Sequence, residues 1–515
     1  YLGWQMIICW SHPNIGLKNL WMEVYDSDIE ESTQKGVWSD NKATRKDNPA
    51  GIVAHIDKPD MFGGVDEGGG FVGDIRVYFG GDENTHDSWM VQQMSLDTVQ
   101  EEVRGLTPLY TPYMSVVVPQ AYIGKQSNIP SMWFEIVNYP DALAITYADK
   151  LKEDYETEKK ELDDKIKKIE DIEESKRTIA QKSNLASYKT EKEALDKRGA
   201  LHLGKISEDL NPAEAIYEIC VNNDWGCAID KDKIDIDSLY ELGKTCEKEG
   251  MGVSVQISAV TPAKTVIGNI LSHINGMFFD NPKTGKLTFK LIRNDYDENS
   301  LITLSVDNCE SCEFSRLDWS ETASSVTASF TDCDNKYETS TLPVYDLANV
   351  KISKTIADKQ IDAGYFTTSA NAKTYAQNEL LSAGYPLAAA SIKANRVAHN
   401  LTIGQPFILN WEPYGVKKTI MRVTDIDYAS LKDGIISIEA IEDVFSFDKT
   451  VYAFSNGSEW KDVDNLPEVV TNKKFIESPY EMNNTLDTFV YAMAANPSAY
   501  SVYWDVWRNK DGSYY

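Results

Sequence analysis

The chain has no run of about 20 apolar residues, so no segment reads as a helix that spans a bilayer. It also lacks a basic excess. Lys and Arg number 51 against 80 Asp and Glu, a formal charge of −29. Nucleic-acid binders gain affinity by releasing phosphate counterions to a basic surface, so this balance argues against that class. Cysteine is scarce, seven in 515 residues, and an odd, scattered set does not make a disulfide framework. Folding in a reducing cytoplasm suits it better. The acceptor-like triplets at Asn400, Asn456 and Asn483 would matter only in a secretory pathway, which nothing else supports. The opening Tyr1-Leu2-Gly3-Trp4-Gln5 has neither Met nor a basic run, and reads as the interior of a longer chain rather than a signal peptide.

Motifs of catalysis are missing too. No H-E-x-x-H or G-x-S-x-G occurs, and His12, His55, His86, His202, His273 and His399 show no metal-like spacing. Gly68-Gly69-Gly70-Phe71-Val72-Gly73 satisfies G-x-G-x-x-G, but a dinucleotide turn must be followed by a helix, and here a strand follows. Asp230, Asp232 and Glu241 stand at positions 1, 3 and 12 of a calcium loop, yet Ile234 and Asp235 fill the places that need a ligand oxygen and a glycine. Cys309 and Cys312, with Cys333, are the best metal candidate, although zinc and iron–sulfur sites normally take four soft ligands. Buried or free thiols are the simpler reading. Neither a catalytic residue nor a cofactor is assigned.

What is present is a globular balance, 42% hydrophobic and 25% charged, over a length that suggests roughly three or four domains. Residues 1–30 alternate apolar and polar as half-buried strands do, and 31–60 are polar and turn-rich. Strand patterns return at 71–79, 113–118 and 131–137, so 1–140 reads as a β domain with an irregular insertion at about 30–105. Composition then changes. Leu151, Tyr155, Leu162, Ile166, Ile169, Ile172 and Ile179 form a narrow apolar stripe in a segment without Gly or Pro, which predicts a helix broken at Ser183-Asn184 and a second helix over 185–198. This arm, 141–205, holds 14 basic and 16 acidic residues over 141–200, so the acidic excess belongs to the rest of the chain. An exposed helical hairpin that buries little is expected.

From 206 to 300 the pattern mixes helix and strand. Asn211-Pro212 starts a helix, Gly250 ends another over 238–249, 252–257 alternates as a strand, 265–275 is helical, and 276–289 is a hairpin. Strands dominate 301–447 around one helix at about 370–383, and the aromatic, polar 448–515 reads as the start of a further β-rich domain.

Several segments in this order resemble one family. Gly3-Trp4-Gln5-Met6 with Trp21-Met22-Glu23-Val24, then Met61-Phe62-Gly63-Gly64 and Glu67-Gly68-Gly69-Gly70, are similar to patterns of the central tail-hub proteins of long-tailed phages. That family includes the lambda-type tip attachment (host specificity) protein J and relatives in gene transfer agents. Asn128-Ile129-Pro130 through Phe134-Glu135-Ile136 and Asn211-Pro212-Ala213-Glu214 match further segments, as do Glu321-Thr322 to Phe330-Thr331-Asp332 and Asp433-Gly434 to Asp443-Val444-Phe445. The 141–205 arm has no counterpart in these patterns. The resemblance implies an α+β, mainly β chain, with two hub-type β-barrels (1–140 and 301–447) joined by an α/β domain. It implies a non-enzymatic homotrimer at the distal end of the virion tail, assembled in the host cytoplasm. Its partners would be distal tail and other tail-tip proteins, the tape measure protein and host-binding fibre parts, and DNA would pass without specific binding. A phage-associated cell-wall hydrolase and a carbohydrate-binding adhesin are the alternatives.

Overall fold

The computed structural model describes residues 1–26, 31–37, 42–59, 69–125, 129–172, 178–199, 203–294, 296–319, 322–335, 337–429, 434–443, 473–477, 490–494, 509–510 and 513–514. The chain is α+β and mainly β, with 34% strand and 31% helix, as its sequence predicts. It divides into two units, Tyr1–Phe454 and Ser455–Tyr515.

The first unit opens with β1 (Leu2–Trp10), β2 (Asn14–Asp26), β3 (Glu31–Val37), β4 (Ala43–Thr44), β5 (Ile52–Lys58) and β6 (Phe71–Tyr78). After α1 (Ser88–Met94) follow β7 (Tyr113–Ala121) and β8 (Met132–Tyr139). One sheet has the order β1-β7-β6-β5, and in the other β2 pairs with β3, β4 and β8. Alternate residues of both sheets, among them Trp4, Ile15, Leu17, Ile75, Val77, Met114 and Val116, share one core. The turn-rich reading of 31–60 is corrected, because β3, β4 and β5 run through it. Ile52, Ala54 and Ile56 of β5 turn inward, a period-two signal of three residues that is too short to stand out among polar neighbours. Gly73 lets β6 and β7 close up, since a Cβ there would meet the Cβ of Ala121 at 2.8 Å. The glycines Gly63, Gly64 and Gly68 lie outside the described residues.

The arm leaves β8 through a short helix, α2 (Ala142–Thr146), and consists of α3 (Ala148–Glu170) and α4 (Ile179–Arg198). The predicted break at Ser183-Asn184 is wrong: both residues lie inside α4. A capping box, in which Thr178 accepts from the Gln181 N–H and the Gln181 side chain accepts from the Thr178 N–H, starts the helix earlier. The two helices are laced by Lys159–Asp196 and Lys192–Asp163 ion pairs. The base of the arm is better anchored than its charge pattern suggests. Leu151 belongs to the central core, and Asp154 accepts from the Tyr240 hydroxyl at 2.7 Å and from Lys244 at 3.0 Å.

The central core is built by a small hairpin, β9 (Lys205–Ile206) and β10 (Asp209–Leu210), then α5 (Pro212–Val221), α6 (Ile236–Glu249), α7 (Ala263–His273) and a second hairpin, β11 (Gly276–Asn281) and β12 (Lys286–Leu291). Asn211 caps α5, accepting from the Ala213 N–H, with Pro212 in the first turn. Gly250 ends α6 at φ 72°, where a side chain would be strained. The predicted strand at 252–257 does not form. Only Val253 makes a β-bridge, with Leu210; the Ser254 N–H donates to the Tyr365 carbonyl, and no strand continues beyond it.

Two short strands, β13 (Thr303–Ser305) and β14 (Cys309–Arg316), come next. They are opposite edges of one six-stranded sheet, β13-β19-β20-β21-β18-β14, and are joined by only Val306 to Asn308. So short a link between opposite edges requires the sheet to curl on itself. Between β14 and β18 the chain leaves this sheet to form β15 (Ser325–Asp332), β16 (Glu338–Tyr345), α8 (Leu347–Ser353), β17 (Asp358–Asp362) and α9 (Ser369–Ala383). Their buried residues, including Val326, Phe330, Phe366 and Leu380, join the same core as Ile216, Tyr240 and Ile270. The curled sheet closes with β18 (Ala388–Ala394), β19 (Pro406–Trp411), β20 (Val416–Asp427) and β21 (Ile436–Glu442) around a core of its own. Among the described residues of the second unit, β22 (Lys473–Glu477) pairs with β23 (Val490–Ala494) and β24 (Asn509–Lys510) with β25 (Ser513–Tyr514).

Candidate functional site

The sequence motifs with chemical potential do not converge. Cys309 and Cys312 both face the interior of the curled sheet, beside Ile392 and Phe407. Residues three apart in a regular strand point to opposite faces, but a register shift between Cys309 and Ser311 turns both inward. Burial pushes the Cys309 thiol up to about 11 and raises that of Cys312, so both keep their protons. Cys333 sits elsewhere, past the end of β15. Among the described residues the only grouping of three candidate ligand residues within 4.8 Å is Asp332, Cys333 and Asp334. Burial and the adjoining carboxylates of Asp334 and Asp332 raise the Cys333 thiol, while Asp332 accepts from the Asp334 N–H and the Ser340 hydroxyl. This is the geometry of a tight turn. Of the calcium-loop residues, Asp235 caps α6 and accepts from Thr288, and Glu241 pairs with Lys244 on the helix itself. Gly69 and Gly70 lead directly into β6, with no helix after them.

The feature that the fold does assemble is a cleft of about 2340 Å³ where β1 and β8, the β9–β10 hairpin, the 253–261 stretch and the β15–β17 sheet meet. Asp209, 5% exposed, lies at its floor. It accepts from Thr367 Oγ1 at 2.7 and 2.9 Å and from Ser254 Oγ at 2.8 Å, which ties the hairpin to the two chains flanking it. Glu135 accepts from the Tyr337 hydroxyl at 2.7 Å and from Asn19. Burial and this contact raise the Tyr337 phenol well above its ordinary value. Lys18 pairs with Glu208 and lies 4.0 Å from Glu135.

Two imidazoles line the cleft. His273 stacks between Tyr365 (4.8 Å) and Tyr375 (5.3 Å), with Nδ1 2.7 Å from the Asn269 carbonyl. His12 lies 3.9 Å from Glu218 and edge-on to Trp225. Burial lowers the pKa of both, so they are neutral at pH 7. The carboxylates Asp209 and Glu135 are thus held by neighbouring hydroxyls and amides. No sequence motif marks this cleft, because its walls come from positions between Ile8 and Glu379.

A further buried carboxylate binds the pieces together. Glu214, fully buried on α5, accepts from the Leu143 and Ala144 N–H groups at 2.9 Å each, so it caps α2 at the base of the arm. Burial pushes its pKa up to about 7 against those two hydrogen bonds.

Residues 262–426, from α7 to β20, match the family model described as "Putative phage tail protein". That segment is similar to phage tail protein sequence. No curated protein matches the chain. Among solved structures, a chain of the virion of a native gene transfer agent particle is 15% identical over 86% of this chain and 84% of its own, with a TM-score of 0.46. The 43 kDa tail protein of prophage MuSo2 from Shewanella oneidensis is 15% identical over 38% of this chain and 58% of its own, at a TM-score of 0.28. A tail protein from Neisseria meningitidis MC58 is 12% identical over 37% and 58%, at 0.29.

Proposed function

We propose that the chain is a structural protein of a phage tail and forms its central hub at the tail tip, within the virion. In this reading three copies close a ring around the tail axis. The ring anchors the tape measure protein and the host-binding parts, meets the distal tail protein, and opens for DNA. The observation that carries the proposal is the phage-tail family match over 262–426, which runs through the central core and into the curled sheet. Two properties of the fold support a load-bearing role. The deepest carboxylates of the cleft are occupied in holding chain segments together. The joint between central core and curled sheet is a buried ion pair, Arg422–Asp443 at 3.0 Å, in which Asp443 also accepts from Tyr296 and Arg422 donates to the Arg293 and Gly404 carbonyls.

Cryo-EM of the intact particle tests the proposal. Three copies of the first unit around the axis at the distal end of the tube are expected. Copies spread along the tube, or attached off-axis as single chains, would overturn it.

A further inference from the structure

The sequence of 252–257 has the alternation of a strand, yet beyond Val253 it forms none. Among the described residues, no backbone N–H from Val255 to Thr261 has a hydrogen-bond partner. Apolar side chains on the same stretch stand in solvent, Ile257 at 45% and Val260 at 107% of full exposure. An unpaired, β-prone and partly apolar backbone is a ready template for another strand. Its position makes it more specific than an ordinary loop. It forms one lip of the large cleft, and β17, whose outer edge is also unpaired in the order β16-β15-β17, lines the same cleft.

The charge of the cleft selects the occupant. Seven carboxylates line it against two lysines, and His12 and His273 are held neutral by burial. Both lysines are engaged, Lys18 with Glu208 and Lys359 with Glu379. A second copy of a chain at −29 is a poor match for this surface, whereas a lysine- or arginine-bearing strand is complementary to it. We propose that residues 255–261 are a docking strip that takes up an extended, basic segment of a partner protein by strand addition. The backbone ladder would supply affinity, Ile257 and Val260 the apolar contact, and Asp224, Asp334 and Asp362 the selection for positive charge. This inference does not depend on the position of the protein in the tail.

The experiment uses the whole chain and a fluorescein-labelled peptide alternating lysine with valine, read by fluorescence anisotropy. Saturable binding that weakens on raising the salt is expected. A glutamate–valine peptide should fail to bind, and the lysine–valine peptide with alternate backbone N-methyl groups should bind at least about tenfold more weakly. Ser258→Pro, which removes one N–H, and Val260→Ser, which removes apolar contact without adding charge, should each weaken binding by a similar factor. Both sites are exposed, so the thermal midpoint should not change. Equal binding of the glutamate peptide, or no effect of N-methylation and of both substitutions, would overturn the proposal. Self-association of the chain that Ser258→Pro abolishes would assign the strip to a second copy and overturn it as well.

Discussion

Glu214 places a titrating group at a joint. Its carboxyl has an ordinary value of 4.5 and is held at about 7 in the fold, so between these limits the folded state binds more protons than the unfolded chain. Stability from this group is therefore fully present below about pH 4.5 and is lost as pH rises through 7. His12 and His273 act in the opposite direction, because their depressed values favour the fold as pH rises. The difference between wild type and Glu214→Gln isolates the carboxyl. Denaturant midpoints measured from pH 4.5 to 7.5 should fall more steeply for wild type than for the variant, whose amide imitates the protonated acid. Parallel profiles would place the pH dependence elsewhere.

Arg422 and Asp443 are 4% and 2% exposed, so neither charge has access to water. Arg422→Met should cost about 3–5 kcal/mol, since it strands a buried carboxylate. The double variant Arg422→Met, Asp443→Leu should recover much of that loss, as measured by urea unfolding. Cys312 offers a smaller test. A serine there would bury a hydroxyl in an apolar interior and should cost about 1–3 kcal/mol.

At the scale of elements, the arm separates into an anchored base and an outer part. Leu151, Asp154 and Glu158 on α3 contact the central core, Tyr240 and Lys244, and Lys248 respectively. Further out, α3 and α4 meet mainly each other, through Leu162, Ile166 and the paired charges. Replacing 160–191 by a short glycine–serine linker should leave the thermal midpoint of the first unit within a few degrees, because exposed ion pairs contribute about 0–1 kcal/mol each. Deleting 145–200 should lower it further, because Leu151 and the Asp154 hydrogen bonds go too. Equal melting of both deletions would show that the base of the arm holds nothing.

At the scale of the whole molecule, the proposed ring makes a prediction about charge. If the −29 serves DNA passage, Asp and Glu should exceed Lys and Arg more strongly on the axis-facing surface than outside. Only charges near the passing DNA count, because the Debye length is about 8 Å at physiological salt. Replacing several axis-facing acids by Lys should slow ejection of DNA from purified particles, and added salt should partly restore it. A neutral or basic axial surface in the cryo-EM map would leave the acidity as a matter of solubility.

The sequence alone determined what depends on neighbours along the chain. The strands that begin at 71 and 113 follow from β-prone composition, α5 from Asn211-Pro212, the end of α6 from Gly250, and the β11–β12 turn from its turn formers. Where local signals competed, the reading failed. Ser183-Asn184 reads as a break, yet the Thr178 capping box starts α4 before it, and 252–257 has strand chemistry without a partner strand. Tertiary structure decided the rest. It folded 325–380 onto the same core as 203–291, turned Cys309 and Cys312 together into an apolar interior, and built the cleft from segments more than 300 residues apart. The physical reason is that burial and hydrogen-bond satisfaction are settled between segments distant in sequence. Asp209 is one acidic residue in an acidic chain until Ser254 and Thr367 reach it, and nothing local to residue 209 records that they do.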